Sequence, residues 1–412
     1  MDRTHDSGRW RALLVLAIAM VLAMSTWFSA SAVVPQLRVR WDLGDAGAAW
    51  LTIAVQLGFV AGALVSASLT LADRVRPVTV ILSGALLAAT ANIGLLAVDG
   101  PAGAIALRGV TGAALAGVYP PAMKAMAAWF RRDRGLALGV MVGALTLGSA
   151  LPHLVNGLGG LSVEVVVVTT SLLTVLGGLL ARFAVPDGPF PFPTAPFRPR
   201  QVVDVLRHRP TRLATAGYVG HMWELYALWA WVVVFLGDSF AAAGVGSSAW
   251  APLGAFGVIG VGAIGCAVGG RIADRTSRAR ATRISLAASG AAAALAGFTF
   301  GAPPTVTLAL TLFWGFWAVA DSAQFSTIVT EVADQRFVGT ALTLQLALGF
   351  ALTVVTIWLV PVLESLVTWR WAFLLLLPGP VLGYAAMGRL EEGASGRERS
   401  THGRGGPNPT SV

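Results

Sequence analysis

Along this chain the apolar residues gather into long runs, separated by short clusters of charge, proline and glycine. Each run approaches the roughly 20 residues that a helix rising about 1.5 Å per residue needs to cross a hydrocarbon layer of about 30 Å. Six runs predict helices near residues 12–34, 47–72, 77–98, 102–128, 135–157 and 162–185. Six more follow near 212–237, 248–271, 282–301, 305–329, 338–362 and 367–389. The pattern predicts an all-α integral membrane protein with twelve transmembrane helices.

Composition agrees with the pattern. The 412 residues are 56% hydrophobic and only 12% charged, where soluble domains carry about 25% charged residues. The net charge of +9 would suit nucleic acid, but its distribution does not. Arginines and Lys124 collect in alternate loops, and only Arg38, Arg40 and Arg370 fall on the other side. Such alternation is the positive-inside signal of a membrane protein, with both termini in the cytoplasm and the chain in the inner or plasma membrane. No nucleic-acid partner is expected. Cys266 is the only cysteine, so an intramolecular disulfide and a thiolate metal cage are excluded. Arg9, Arg11 and the small residues Ala30, Ser31 and Ala32 imitate a secretory signal, but the apolar run from Leu13 is too long for one and is expected to stay as the first helix.

The segment from Pro186 to Arg212 is rich in Pro and Arg and divides the chain into halves of six spans. The expected organisation is an N-terminal bundle over 1–185, a cytoplasmic linker over 186–211, a C-terminal bundle over 212–389 and a disordered cytoplasmic tail over 390–412. The halves echo each other. LTLADRVRP (69–77) follows the second span, and GRIADRTSR (270–278) follows the eighth. A weaker echo links RGLALG (134–139) with VGTALT (338–343).

These two loops resemble the G-x-L-x-D-R-x-G-R-R motif of the major facilitator superfamily. The C-terminal copy matches through Gly270, Ile272, Ala273, Asp274 and Arg275; the N-terminal copy keeps Leu71, Asp73 and Arg74. Arg108 and Gly112 resemble the superfamily's R-x-x-x-G pattern in the fourth span. The resemblance implies two pseudo-symmetric six-helix bundles, a site between them, and gating by Asp73, Arg74, Gly270, Asp274 and Arg275. AAWFRRDRGLALGVMVG (127–143) is similar to the nitrate/nitrite and cyanate porter group. The arginines that nitrate porters carry within the second and eighth spans are missing here, as is the Gly-Pro-x-x-Gly-Gly element of drug–proton antiporters in the fifth.

Ionisable side chains at the bilayer centre cost about 2.5 to 3.5 kcal/mol on insertion scales and normally face a bundle interior. Glu224 lies near the middle of the seventh span, with His221 three residues earlier on the same face. Trp314, Trp317, Asp321 and Gln324 form one helical stripe on the tenth span, and Thr146, Ser149, His153 and Asn156 another on the fifth. On the fourth span Arg108, Gly112 and Tyr119 share a face, and Pro120–Pro121 predicts a kink. Arg108 cannot deprotonate, so it is expected to meet an anion: Glu224, Asp321 or the solute. Lys124 is expected to snorkel toward the cytoplasm.

The expected function is proton-coupled movement of a small organic, anionic solute by alternating access. Arg108 would meet the anion, and Glu224 or Asp321 the proton. His221 and His153 would tune them, Gln324 would join the substrate and coupling residues, and Trp27, Tyr119, Trp223, Trp314 and Trp317 would line the walls. Rival readings are efflux of hydrophobic compounds, favoured by 14 tryptophans, and a non-transporting receptor on the same fold. No Walker motif, metal-ligand cluster or Ser/His/Asp grouping is evident, so no cofactor, no metal and no enzymatic activity are expected. The expected partners are the solute, protons and the lipid bilayer, with the chain acting as a monomer.

Overall fold

The computed structural model describes residues 3–69, 71–130, 133–190, 199–245, 249–334, 336 and 338–402. Among the described residues there are helices and no strands. Twelve helical spans are long and apolar enough to cross a membrane. They are α1 (Gly8–Thr26), α2 (Asp45–Ser68), α3 (Pro77–Ala97), α4 (Pro101–Ala127), α5 (Gly135–Leu158) and α6 (Val163–Ala184). The second half holds α7 (Arg209–Ala242), α8 (Trp250–Arg275), α9 (Arg278–Thr299), α10 (Pro304–Val332), α11 (Val338–Val367) and α12 (Trp369–Gly393).

Local chemistry sets many of the boundaries. Prolines stand in the first turn of α3, α4, α7 and α10, where their missing N–H would have had no helical partner. Ser162 and Ser277 cap α6 and α9, each hydroxyl accepting a bond from the backbone N–H three residues on. After α12 the helix continues to His402, past the point where the sequence suggested a disordered tail. Glu391 lies 2.9 Å from Arg283 of α9, which ties the first turn beyond the apolar run to the bundle. Residues 403–412 of the expected tail, and 191–198 of the expected linker, lie outside the described residues.

The two halves repeat one packing scheme. In the first, α2 packs on α4, α1 on α5 and α6, and α3 on α4 and α6. In the second, α8 packs on α10, α7 on α11 and α12, and α9 on α10 and α12. Backbones come close at glycines in corresponding pairs. A Cβ on Gly58 would lie 2.0 Å from the Gly109 carbonyl across α2–α4, and one on Gly269 would lie 1.9 Å from that of Ala320 across α8–α10. Neither position has room for a side chain, so dispersion contacts between bare backbones hold these pairs where no hydrophobic drive operates in lipid. Between the halves, α2 lies against α11 and α5 against α8.

Candidate functional site

A cavity of about 610 Å³ runs between the halves from one end of the molecule toward its middle. Its mouth lies where α2, α4 and α10 end and α5, α7 and α11 begin, lined by Ala67, Lys124, Gly135, Arg278 and Glu331. The N-terminus is at the same end, because Arg9 pairs with Asp133 of the α4–α5 loop at 3.2 Å. On α7 the lining runs from Tyr218 to Trp229, about 16 Å of helical rise.

Breaks in three helices shape the walls. The α4 helix stops at Leu115 and resumes at Tyr119. Pro120 and Pro121 have no N–H to offer the carbonyls of Ala116 and Gly117, and both Ala116 and the two prolines line the cavity. In α10 the helix stops at Ala320 and restarts at Ser322, with Asp321 at the junction. Asp321 thus ends one segment and begins the next, and its side chain makes no capping hydrogen bond. In α1 the regular helix ends at Ala23, and a 3-10 turn over Met24–Thr26 leads into Trp27 and Phe28.

His221 connects the cavity with two buried carboxylates. It lines the cavity, its Nδ1 is 2.9 Å from Asp321 Oδ1, and its Nε2 is 2.9 Å from Ser322 Oγ. Glu224 lies behind this wall, accepting bonds from Trp314 Nε1 at 2.6 Å and Ser289 Oγ at 2.9 Å. His221, Glu224, Asp321 and Trp314 are thus brought together from α7 and α10, with Ser289 from α9, all in the second half. Gln324 joins a different group, accepting at 2.9 Å from Arg278, whose Nε is 2.7 Å from Glu331.

Arg108 is placed elsewhere. It is fully buried but does not line the cavity, and among the described residues no carboxylate meets it. Its Nη1 donates to the Thr26 carbonyl at 2.9 Å and Ser29 Oγ at 3.0 Å, its Nε to the Leu51 carbonyl at 3.3 Å, and its Nη2 to the Trp27 carbonyl. Neither Glu224 nor Asp321, the expected carboxylate partners, meets it; the Thr26 and Trp27 carbonyls freed where α1 breaks, the negative end of a helix dipole, satisfy the guanidinium together with the Leu51 carbonyl of α2. Lys124, expected to snorkel, lines the cavity mouth.

The expected aromatic wall is partly redrawn. Tyr119 lines the cavity. Trp27 lies just beyond its inner end in a cluster of rings with Phe59, Tyr226 and Phe350, at centroid distances of 4.8 to 6.0 Å. Phe28 and Trp229 extend this cluster, which joins α1 and α2 to α7 and α11. Trp317 faces away from the cavity and packs on Phe313 and Phe316. Its place three residues after Trp314 turns it about 60° around the helix from that residue. Trp223 also lies outside the cavity, where it donates to the Leu375 carbonyl at 2.8 Å. His153 is fully buried, deeper along α5 than the lining residue Thr146.

Of the loop residues, the Asp73 side chain lies outside the described residues, and Arg74 is exposed. Gly270 has open space where a Cβ would point. Asp274 and Arg275 are exposed, and the neighbouring Arg278 instead reaches across the halves, its Nη1 4.0 Å from where a Cβ on Gly135 would stand. Sequence reasoning missed Arg278, Gln345 and Gln56. The two glutamines were legible as single amides in otherwise apolar runs. Arg278 was hidden among the loop arginines.

No curated protein sequence matches the chain significantly. Among solved structures it is similar to a bacterial homologue of the human lysosomal transporter Spinster, in an inward-facing and unoccupied conformation. The TM-score is 0.66 at 15% identity, covering 94% of this chain and 95% of that one. It is also similar to the nucleoside transporter NupG (D323A mutant), with TM-score 0.70 at 14% identity, covering 92% and 99%. At these identities the likeness establishes the fold and leaves the cargo open. The sequence profile of the Major Facilitator Superfamily matches residues 16–355. Twelve spans in two matching halves, a cavity between them and a profile match over most of its length together assign this chain to the major facilitator superfamily of membrane transporters.

Proposed function

We propose that the protein is a proton-coupled secondary transporter of a small organic anion, working by alternating access between the halves at 1–185 and 212–389. The observation that carries the coupling is the placement of His221, which touches the cavity on one side and Asp321 on the other, with Glu224 one turn further along α7. A proton arriving from the cavity meets the imidazole first. Protonated His221 then forms an ion pair with Asp321, so the charge is taken up without being stranded in the bilayer.

The anion preference rests on Lys124 and Arg278, cations from opposite halves at one mouth. Arg278 is shared with Glu331, so a solute carboxylate competes with a side chain already in place. Arg108 holds the α1 break in this reading. The similarity of 127–143 to nitrate and cyanate porters fits a small anion, although Arg131 and Arg132 within it lie outside the described residues. In this reading the face with the mouth and its basic loops is the cytoplasmic one, as the positive-inside rule favours. A second reading, export of apolar compounds, is favoured by the aromatic and aliphatic wall of Tyr119, Tyr226, Leu225, Leu346 and Phe350.

The test is a panel of organic acids, neutral amides and hydrophobic cations on proteoliposomes. An imposed pH gradient should drive accumulation of acids in the wild type. Glu224→Gln and Asp321→Asn should abolish that accumulation while solute counterflow, which needs no net proton movement, continues. Gradient-driven accumulation surviving in both variants would remove the carboxylates from coupling, and accumulation of the cations alone would establish the export reading.

A further inference from the structure

Beyond the ring cluster the helix faces that line the cavity continue toward the sealed end of the molecule. On α2 the lining residues Ala67 and Ala63 lead through Phe59 to Gln56, and on α5 Leu138, Val142 and Leu145 lead through Ser149 to His153 and Asn156, steps of three and four residues throughout. Gln56 and His153 are completely buried. Among the described residues neither atom of the Gln56 amide and neither ring nitrogen of His153 has a hydrogen-bond partner. Asn156 donates to the Ala32 carbonyl at 2.7 Å, and its Oδ1 has no partner. The indole N–H groups of Trp27 and Trp229, in the ring cluster itself, are likewise unpartnered.

Buried polar groups are almost always paired, and each exception calls for an explanation. Ordinary packing does not supply one, because the unpaired groups fall on the cavity-lining faces of α2 and α5 and immediately behind the plug. We propose that Gln56 and His153, with Asn156, form a polar solute subsite that is sealed in the conformation described and opens to the face opposite the mouth when the halves rock. This rests on the transporter reading above. The amide of Gln56 and a neutral imidazole each offer one kind of donor and one kind of acceptor. The group they receive is therefore a neutral one with both functions, such as an amide, a hydroxyl or an un-ionised carboxyl, attached to a flat body that the rings of Trp27 and Trp229 can cover.

Thiol accessibility tests this in proteoliposomes, with Cys266→Ala as background so that no native thiol competes. Ser149→Cys places a reporter on the same face and leaves both Gln56 and His153 intact; Gln56→Cys is a second reporter. An impermeant thiol reagent applied from the face opposite the mouth should label both. The rate should be about tenfold to a thousandfold below that of exposed Val39→Cys, as expected for a minor conformation. A bulky maleimide on Ser66→Cys, which wedges the mouth open, should suppress that labelling. Benzamide should slow labelling of Ser149→Cys more than acetophenone, which replaces the amide NH2 with a methyl group, and Gln56→Leu should erase the difference.

Absence of far-face labelling at both reporters, in protein that still performs solute counterflow, would overturn the proposal. So would labelling no different from that of Leu57→Cys on the neighbouring face of α2, or equal slowing by the two probes. Loss of counterflow for every solute in the unmodified protein would instead overturn the transporter reading.

Discussion

Arg108 carries a charge into the middle of the N-terminal half without a carboxylate beside it. Its partners are backbone carbonyls of Thr26, Trp27 and Leu51, the Ser29 hydroxyl and the Asn92 side-chain oxygen. Hydrogen bonds to a charged group contribute about 1.5–3 kcal/mol each. Arg108→Ala should therefore lower stability by at least about 3 kcal/mol, read as a fall in thermal midpoint in detergent. Arg108→Lys should recover only part of it, since an ammonium lacks the planar fork that reaches several carbonyls at once. If Arg108 held the solute anion instead, the lysine variant would keep its midpoint and lose solute affinity. Glu224 is the opposite case: Trp314 donates to one carboxylate oxygen and Ser289 to the other, and in a glutamine the oxygen can keep the Trp314 bond while the Ser289 hydroxyl turns to accept from the NH2. This is why Glu224→Gln separates coupling from folding.

At the scale of elements, adjacent glycines in α8 have opposite roles. Gly269 faces α10, with the Ala320 carbonyl where its Cβ would be, while Gly270 has nothing within 4 Å. Gly269→Ala must push two backbones apart, an overpacking cost of about 1–3 kcal/mol or more. Gly270→Ala should be neutral or should stabilise α8 by about 0.5–1 kcal/mol, because alanine has the better helix propensity. Thermal midpoints of the two purified variants check the contrast, and equal behaviour would mean that α8 and α10 do not meet as described. Gly270 is the motif glycine and Gly269 is not, so the loop motif identified the family without marking the position on which the helix contact depends.

At the scale of the whole molecule, the ring cluster packs α1, α2, α7 and α11 together at the inner end of the cavity and is expected to act as its seal. Phe350 touches Trp27, Phe59 and Tyr226. Phe350→Ala should cost about 3–5 kcal/mol if the space stays open, and an imposed pH gradient across proteoliposomes should decay faster through the gap. A gradient held as well as in the wild type would place the seal elsewhere, for example at the Arg38–Asp45 pair near the closed face, 2.7 Å apart. Orientation has its own check. Because Arg9 near one end of the chain and Glu391 near the other both pair with residues at the mouth face, a fluorescent protein fused after Val412 should fluoresce, and a phosphatase fused there, which needs export for activity, should be inactive.

Length and hydropathy of the runs determined the twelve spans, because a bilayer of fixed thickness leaves a chain of apolar 20-residue runs few ways to satisfy its backbone. The repeated Asp-Arg loops located the two halves, and Glu224, His221 and Asp321 stood out because ionisable groups in lipid need a polar interior. What those groups face was decided only by tertiary packing. Arg108 and Glu224 are both buried charges in apolar runs, yet one is held by the broken end of α1 and the other by side chains of α9 and α10. Trp314 and Trp317 differ by three residues, yet one meets a carboxylate and the other the outer rings. Helix breaks at Asp321 and before Tyr119, and contacts between segments far apart in the chain, set these outcomes, because a local pattern fixes which face of a helix is polar but not which neighbour that face will meet.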